Sequence, residues 1–467
     1  MKLKQYVQSR LLFLLLILAL SFAVRGLTAH FIHDHLSDPG WFQSGTYALF
    51  DKRAQEILDH RSSVFWIDDA SRTESAIYPP GYPLWVALIY KLTGDRSAAS
   101  VQRVQWLLDS LLVLLIVGIG VTAYNWRVGL AAGLLAALSP LLALYGAVPL
   151  ADSPTSWVVL AGMWFLLLAT RRRTLKWAFA AGLMLGASCW LRANALLLPF
   201  FWAAVVLLVV RASWRERVAL SGMVILGTVL LVTPLLVRNA VAFHVFTPTG
   251  LGVGTNLWEG IGETDRAAEF GAVYGDQALI EQERAALGVA SDASFGLYFP
   301  DGVRRDRERT RKAFAVISAH PIWYSGVMLR RMAGVLKYAG APAPFYGSAG
   351  INVTSKKCLP LNWQGGIMGL TVNLLGMIQS VLRYVALPLM VLGIWFAIKE
   401  DWQLACLFLG TVIYYLVVGS ALHTEIRYGL PMQALLFVFA GVALCSLAQV
   451  THKLKKPNQV RSVEDSV

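Results

Sequence analysis

The amino-acid sequence predicts an all-α, polytopic integral membrane protein, on the basis of its composition, its long apolar runs and the placement of its basic residues. Hydrophobic residues make up 56% of the 467 positions and charged residues 15%, and the mean hydropathy is +0.56. That balance is too apolar for a soluble globular protein. The aromatic share of 11%, with 16 Trp, fits the aromatic belts found at membrane interfaces.

Apolar runs that are long enough, or nearly long enough, to cross a bilayer recur along the chain. A span needs about 20 apolar residues, and we expect about 10 to 13 transmembrane helices. The first run follows a basic start, as in a signal peptide, but no small-residue cleavage site clearly follows it, so we expect it to stay as the first span. The candidate spans are 10–28, 102–124, 128–147, 153–170, 176–192, 194–210, 217–237, 380–398, 402–420 and 429–449.

The basic residues indicate the orientation of these spans. With a cytoplasmic N-terminus, Lys and Arg collect in the cytoplasmic connections, and the short outer turns receive only Arg192 and Arg427. The net charge of +13 follows from this bias, and because no separate basic domain exists we expect no nucleic-acid partner. The predicted organisation is a membrane domain over 1–450, a disordered basic cytoplasmic tail over 451–467, and outer loops over 29–101, 238–320 and 339–379.

The first outer loop contains TYALFDKRAQEIL, residues 46–58, which has the period of an amphipathic interfacial helix. Its apolar residues form one stripe, and Asp51 lies along the edge of that stripe instead of with the other charges. A carboxylate beside apolar surface has its pKa raised toward that of a useful general base. YPPGYPLWVALIYKLTG follows, which contains Tyr82 and predicts a second, short helix lying on the membrane at about 82–93.

Further polar residues stand at the ends of predicted spans. Asp152, in ADSPTSW, is placed to cap the N-terminus of the fourth span, and its position at the outer mouth leaves a second role open. Arg192, in LRANALLLP, is either an anchor that snorkels to the interface or a phosphate contact. The end of the seventh span and the Gly-rich loop after it add four more: Arg238, Asn239, Asn256 and Glu259.

The last outer turn, SALHTEIRYGLP, has more polar side chains than a connector needs. A structural pair between Glu425 and Arg427 is one explanation, and an anion site is the one that we favour. His423 has no companion His or Cys nearby, and the four cysteines of the chain form no cluster, so we assign no metal ligands. Because arginine gives bidentate contacts to phosphate, the outer turns fit a substrate with a phosphate head and a tail in the bilayer.

These segments, in this order, resemble those of the GT-C glycosyltransferases, specifically the bacterial protein O-mannosyltransferases and lipid A aminoarabinose transferase. The resemblance runs from about residue 10 to 445 and rests on FDKRAQEIL, YPPGYPLWVALIYKLTG, ALSP with Asp152 downstream, LRANALLLP, VRNAVAFHVFTPTG with NLWEG, AFAVISAHP and HTEIRYGLP. It implies a GT-C fold and an enzyme of the inner (plasma) membrane whose active site faces the periplasmic or extracellular side. Such enzymes transfer a sugar from a polyprenyl-phosphate donor, usually with inversion, to a protein, lipid or glycan acceptor.

The resemblance also implies roles for the polar residues. A first-loop Asp acts as the base: Asp51 is the position that we carry over, and Asp38 is its rival, because many relatives have the acid further before the helix alanine, near Thr46. The pair Asp68–Asp69 is a third choice. No cofactor is required, and a divalent metal ion stays possible because some relatives use one. The arginines that would stabilise the departing phosphate are Arg238, Arg427 and Arg192. The polar residues that would support the site are Asp152, His423, Glu425, Tyr82, Asn256 and Glu259.

Two other functions fit the sequence less well. A glycolipid transporter or flippase needs polar residues deep in its spans, and Asp109, in WLLDSLLVLL, is the exception in an interior nearly free of charge. An O-antigen-type ligase or polymerase also uses prenyl-linked donors but transfers whole glycans. The long polar segments all lie on one predicted side, and this lopsided layout favours chemistry at the outer surface over passage through the middle.

Overall fold

A computed structural model describes residues 2–37, 46–61, 78–248, 250–290, 293–336, 359–423 and 425–454. Over these ranges the chain folds into α-helices and short 3₁₀ helices, with one isolated β-bridge between Gly296 and Phe299 and no strand. The predicted all-α class is therefore confirmed.

Seventeen α-helices make up most of the described part of the chain. The first ten are α1 (Lys2–Ile32), α2 (Thr46–Leu58), α3 (Gly81–Thr93), α4 (Ala98–Ala123), α5 (Trp126–Leu138), α6 (Pro140–Ala147), α7 (Asp152–Arg172), α8 (Leu175–Leu191), α9 (Leu198–Val209) and α10 (Trp214–Phe243). The others are α11 (Val253–Gly262), α12 (Ala267–Phe270), α13 (Asp276–Ala286), α14 (Gly302–Ala319), α15 (Pro321–Leu336), α16 (Gly366–Ser420) and α17 (Leu430–Leu454). α17 therefore continues a few residues into the predicted 451–467 tail.

Six helices in the described ranges are long and apolar enough to cross a membrane, so the chain is a multi-pass membrane protein. A seventh span results if α5 and α6, which are bent by 60° relative to each other, are counted together. This number is lower than the predicted 10 to 13, although all ten predicted apolar segments are helical. The difference arises because α16 holds two predicted spans and is broken at Asp401, and because α8 and α9 are short.

The bend between α5 and α6 has a local cause. Pro140 lacks a backbone N–H and therefore suits the first position of a helix better than its interior. The Ser139 side chain caps α6 by accepting a hydrogen bond from the Leu142 backbone N–H at 3.2 Å. The break redirects α6, and Tyr145 near its end is buried within electrostatic range of Asp152 at the start of α7.

Close packing of the helices depends on small residues, as is common in membranes. A Cβ atom added at Gly182 in α8 would collide with the Val224 carbonyl of α10. A Cβ atom added at Gly393 in α16 would collide with the Phe439 carbonyl of α17. These two glycines let the paired backbones approach more closely than any larger residue would allow.

A buried ion pair joins α1 and α4 inside the helix bundle. Arg25 of α1 donates from Nε to Asp109 Oδ2 of α4 at 2.6 Å, and both side chains are almost fully buried. Asp109 also accepts hydrogen bonds from the Trp157 indole N–H of α7 at 2.8 Å and from the Ser153 hydroxyl. The charge of Asp109 is therefore matched, and the pair joins α1, α4 and α7.

The short helices α2 and α3 pack against each other at one end of the bundle. A Cβ atom added at Gly81, the first residue of α3, would collide with the Trp190 backbone near the end of α8. This close approach anchors α3 on α8, and the buried face of α3 carries Tyr82 and Tyr90. Both helices that the sequence predicts for the first loop are thus present.

The segment between α10 and α16 has its own small apolar cluster. Trp258 of α11 packs with Ala313 of α14 and Val327 of α15. This cluster holds α11 in place beside the helix bundle, where α11 contacts the turn between α16 and α17.

We expect the Arg25–Asp109 pair to behave as a unit. Arg25→Met leaves a carboxylate unpaired in the bundle and should lower the free energy of unfolding by roughly 3–5 kcal/mol. Asp109→Leu should act similarly by leaving the guanidinium unpaired. The double variant should be more stable than either single variant, because neither charge remains. Thermal unfolding in detergent measures all three, and a double variant less stable than both single variants would contradict the prediction.

Candidate active site

Most of the polar residues selected from the sequence lie at one end of the helix bundle, which we call the loop end. The loop end comprises α2, α3 and α11, the starts of α7 and α17, and the ends of α8, α10 and α16. Arg192 after α8 bonds Asp152 at the start of α7, and Arg331 of α15 donates to the Ser420 carbonyl at the end of α16 at 3.2 Å. Elements from distant parts of the chain are therefore contiguous here.

Asp51 lies on the face of α2 that packs against α3. The Tyr90 hydroxyl donates to Asp51 Oδ1 at 2.6 Å, and Tyr90 shares a second hydrogen bond with the Tyr47 hydroxyl at 2.8 Å. Gln55, one turn along α2, donates to Asp51 Oδ2 at 3.0 Å. Burial raises the pKa of Tyr90, so its hydroxyl keeps the proton that it donates. Asp51 itself is half-buried, and it is oriented by neutral donors while remaining in contact with solvent.

Another side of α2 faces the end of α10. Arg53 lies about 200° around the helix axis from Asp51, and it is close enough to Arg238 for the two positive charges to interact. Arg238 is only 3% exposed and donates from Nη1 to Asn239 Oδ1 at 2.9 Å. Its guanidinium also lies 5.1 Å from the centre of the Phe243 ring. Arg53 also donates from Nη1 to Glu56 Oε2 at 3.0 Å, so part of its charge is matched within α2.

Asp152 is the first residue of α7 but does not cap that helix. The N-cap position is Ala151, and no side chain caps the helix start. Asp152 instead accepts from Arg192 Nη1 at 2.5 Å, and it is nearly fully buried. Arg192 also lies over the Tyr428 ring, 4.5 Å from its centre. The predicted cap is wrong because an arginine that follows α8 reaches Asp152, a contact that no local pattern shows.

The turn between α16 and α17 carries a chain of ionic contacts. His423 Nδ1 lies 2.5 Å from Glu263 Oε1, and His423 Nε2 lies 3.7 Å from Glu425 Oε1. Arg427 Nη2 donates to the same Glu425 oxygen at 2.5 Å. Arg427 therefore forms the structural ion pair with Glu425, which the sequence analysis gave as the alternative to an anion site. Much of the charge of Arg427 is matched within the protein.

These contacts set the charges of His423 and Glu425. Burial lowers the pKa of His423, but the contacts with Glu263 and Glu425 outweigh burial and hold that pKa well above its usual range. Burial raises the pKa of Glu425, but the Arg427 charge and the contact with His423 outweigh it and lower the pKa to about 2. At neutral pH the turn therefore holds a protonated histidine beside an ionised glutamate.

Helix α11 joins the loop segment to this turn. The His423 backbone N–H donates to the Asn256 carbonyl at 2.8 Å, and Gly260 leaves room for that contact. The Asn256 side chain donates to the Gly252 carbonyl at 2.6 Å, so it stabilises the start of its own helix. Glu259 is buried beside them, and its Oε1 has no hydrogen-bond partner within the described ranges.

Tyr82 connects the two sides of the loop end. Its hydroxyl donates to Gln105 Oε1 at 3.0 Å, and its ring packs edge-to-face on Phe50 with the centres 4.8 Å apart. Tyr82 also lies within electrostatic range of Tyr47 on one side and Asp152 on the other. Its position is therefore between the Asp51 contacts and the Asp152–Arg192 pair.

Three acids considered as the base, Asp38, Asp68 and Asp69, lie outside the described residues. Among the residues that the structure does describe, no group of three or more His, Cys, Asp or Glu side chains is placed to hold a metal ion. This part of the chain thus provides no ligand set for the divalent metal that the family resemblance leaves possible.

Comparisons with known proteins agree with this architecture. A sequence profile described as dolichyl-phosphate-mannose-protein mannosyltransferase matches residues 78–237, from just before α3 through most of α10. The apo oligosaccharyltransferase of Archaeoglobus fulgidus superposes with a TM-score of 0.51 at 12% identity, covering 96% of this chain and 51% of that one. No curated protein has a matching sequence. The chain has the GT-C fold.

Two further solved structures are similar at lower scores. Archaeal oligosaccharyltransferase AglB from Archaeoglobus fulgidus, in complex with an inhibitory peptide and a dolichol-phosphate, gives a TM-score of 0.49 at 12% identity over 87% of this chain and 47% of that one. ArnT from Cupriavidus metallidurans, bound to undecaprenyl phosphate, gives 0.35 at 16% identity over 95% and 79%. The predicted resemblance to GT-C glycosyltransferases is supported by the mannosyltransferase profile that matches residues 78–237. The chain spans about half the length of the oligosaccharyltransferase that it matches.

Two residues that contact the candidate site were not selected from the sequence. Glu263 contacts His423, and Tyr90 bonds Asp51. Glu263 is one of several acids in a polar loop, and nothing in its neighbourhood distinguishes it. Tyr90 did carry a signal, because Tyr82 and Tyr90 are about two helical turns apart and therefore place two hydroxyls on one face of an otherwise apolar helix.

We expect the stability of the protein to depend on pH through Glu259. Burial, with a contribution from Asp276, raises the pKa of Glu259 from 4.5 to about 8. Between these values the folded protein holds a proton that the unfolded chain has lost, so raising the pH through this window destabilises the fold. Glu259→Gln should remove this loss, whereas Glu281→Gln, at an exposed position, should not. Thermal melting from pH 5 to 9 tests the prediction, and parallel curves for the wild type and Glu259→Gln would contradict it.

Proposed function

We propose that this chain is a membrane glycosyltransferase that transfers a sugar from a polyprenyl-phosphate donor to an acceptor hydroxyl. The main support is the position of α2, which presents Asp51 on one side and holds Arg53 beside Arg238 on another. One short helix at the edge of the bundle thus carries a potential base and lies beside a potential anion site on α10. The proposed location is the inner (plasma) membrane, with the loop end on the periplasmic or extracellular side.

Asp51 is the proposed catalytic base. Its Oδ1 is occupied by Tyr90, whereas the nearest protein donor to Oδ2 is the amide of Gln55 at 3.0 Å. A carboxylate oxygen has more than one lone pair, so Oδ2 retains the capacity to accept a proton from a substrate hydroxyl. The half-buried position of Asp51 supports this role, because a base has to be both oriented and reachable.

Arg238, with Arg53 next to it, is the proposed site for the donor phosphate. A phosphate at Arg238 offsets the repulsion between the two positive charges and receives charge-assisted hydrogen bonds from the Arg238 guanidinium group. Arg192 and Arg427 are proposed as secondary phosphate contacts, because each is held against a carboxylate, as Arg53 is held against Glu56. The protein supplies electrostatic stabilisation of the leaving group, which needs no protonation because a phosphate is already a stable anion.

The proposed reaction is a single displacement. The acceptor oxygen attacks the anomeric carbon as its proton passes to Asp51, and a new carbon–oxygen bond forms on the face opposite the phosphate. The bond between the anomeric carbon and the phosphate oxygen breaks, and its electron pair leaves with the polyprenyl phosphate. The configuration at the anomeric carbon is inverted. The helices between α10 and α16 are proposed to select the acceptor, which is a protein, lipid or glycan.

Asp51→Asn should abolish sugar transfer. The amide keeps the shape of the side chain but cannot take the proton, so we expect a loss of roughly 100-fold or more, with binding of undecaprenyl phosphate retained. Transfer is measured in membrane vesicles with labelled polyprenyl-phosphate sugars, and binding is measured on the purified protein.

Asp59→Asn is the matched control for this experiment. Asp59 lies just after α2, is partly exposed and pairs with Arg61 and Arg96 away from the proposed site, so its replacement should leave transfer intact. Full transfer by Asp51→Asn together with loss in Asp38→Asn would move the base to Asp38. Full transfer by both variants would overturn the proposed mechanism.

Arg238→Gln should weaken the binding of undecaprenyl phosphate by roughly 10-fold or more, because a charge-assisted contact to phosphate is lost. Arg103→Gln serves as the control, since Arg103 is exposed at the start of α4 and pairs with Asp95. Titration of the purified protein with undecaprenyl phosphate measures both variants. Equal affinities for the wild type and Arg238→Gln would place the phosphate elsewhere.

A further inference from the structure

Four buried polar atoms near the starts of α7 and α17 have no hydrogen-bond partner within the described ranges. They come from two acids, a tyrosine and an arginine: Asp152 Oδ2, Glu425 Oε2, Tyr145 Oη and Arg427 Nε. Tyr145 is 1% exposed, and it lies within electrostatic range of Asp152, Glu425 and Arg427. The four atoms therefore belong to one neighbourhood, although α6, α7 and the segment before α17 supply them.

The two carboxylates share one arrangement. Asp152 uses Oδ1 to accept from Arg192, and Glu425 uses Oε1 to accept from Arg427. The second oxygen of each is buried and receives no donor from the described residues. The arginines thus fix both carboxylates in place while leaving one acceptor atom of each free for something else.

Buried polar atoms without partners are unusual, because each costs roughly the free energy of a lost hydrogen bond. The two carboxylate oxygens need hydrogen-bond donors, and the Arg427 N–H needs an acceptor. The Tyr145 hydroxyl can act as a donor or an acceptor. A ligand that satisfies all four must carry several donor and acceptor groups close together. Hydroxyl groups on a sugar ring provide this, whereas a phosphate would place its negative charge against two carboxylates.

We propose that Asp152, Glu425 and Tyr145 form the pocket that recognises the hydroxyl groups of the transferred sugar. This inference rests on the proposed function and assigns the donor sugar to a place distinct from the Arg238 phosphate site. The carboxylate oxygens accept from sugar hydroxyls, the Tyr145 hydroxyl donates or accepts, and the Arg427 N–H donates to a sugar oxygen. The ligand class is the polyhydroxylated head of a polyprenyl-phosphate sugar.

Tyr145→Phe is the sharpest test, because it removes one unpartnered hydroxyl and breaks no ion pair. The matched control is Tyr124→Phe at the end of α4. Tyr124 also has a buried hydroxyl without a partner in the described ranges, but it lies near Glu400 and Asp401, away from the loop end. The two variants make the same chemical change at opposite ends of the bundle.

The probes are undecaprenyl phosphate alone and undecaprenyl phosphate carrying mannose, glucose or 4-amino-4-deoxyarabinose, titrated onto the purified full-length protein in detergent. We expect at least one sugar-bearing lipid to bind the wild type more tightly than undecaprenyl phosphate. Tyr145→Phe should weaken the binding of that lipid by roughly 5- to 10-fold and leave the binding of undecaprenyl phosphate unchanged. Tyr124→Phe should change neither.

The outcomes separate this inference from the proposed function. If undecaprenyl phosphate binds but no sugar adds affinity, or if Tyr145→Phe weakens both kinds of lipid equally, the sugar pocket is overturned while the phosphate site stands. If neither undecaprenyl phosphate nor any sugar-bearing lipid binds the wild type, the proposed function fails, and the sugar pocket fails with it. Selective weakening of the sugar-bearing lipid by Tyr145→Phe alone supports the pocket.

Discussion

Pairing of buried carboxylates with arginines is the constraint on which the rest of this structure depends. A charge in the interior of a helix bundle that crosses a membrane costs several kcal/mol unless a partner matches it. Within the described residues, the pairs that meet this cost include Arg25–Asp109, Arg192–Asp152 and Arg427–Glu425. The first two pairs join different helices, so they fix where those helices meet as well as the charges.

Close backbone contacts then place the remaining groups around these pairs. Gly81 lets the start of α3 lie directly on the end of α8, and this position brings Tyr90 within reach of Asp51. Gly260 lets α11 lie against the His423 backbone, and Glu263 on the same segment reaches the His423 ring. The loop end is therefore held by two kinds of constraint, in which small residues set the separations and ion pairs set the orientations.

Local sequence patterns were sufficient for the helices but not for the contacts between them. Apolar runs and the amphipathic period of residues 46–58 predicted elements that are present, because those signals depend on neighbours within a few turns. The Asp152–Arg192 pair joins residues 40 positions apart, and the same local logic assigned Asp152 to a helix cap. The two spans predicted at 380–398 and 402–420 both lie in α16, and the non-helical backbone of Asp401 separates them.

The same pairing constraint distinguishes the proposed base from the other acids of the loop end. A neighbouring arginine lowers the affinity of a carboxylate for a proton, as the pKa of about 2 for Glu425 illustrates, and such a group is a poor base. Glu259 has the opposite problem, because burial raises its pKa to about 8 and it is mostly protonated at neutral pH. Asp51 accepts hydrogen bonds from the side chains of Tyr90 and Gln55, so neutral donors orient it. Among the described acids of this region, Asp51 therefore best combines a fixed orientation, contact with solvent and a carboxylate that remains available to accept a proton.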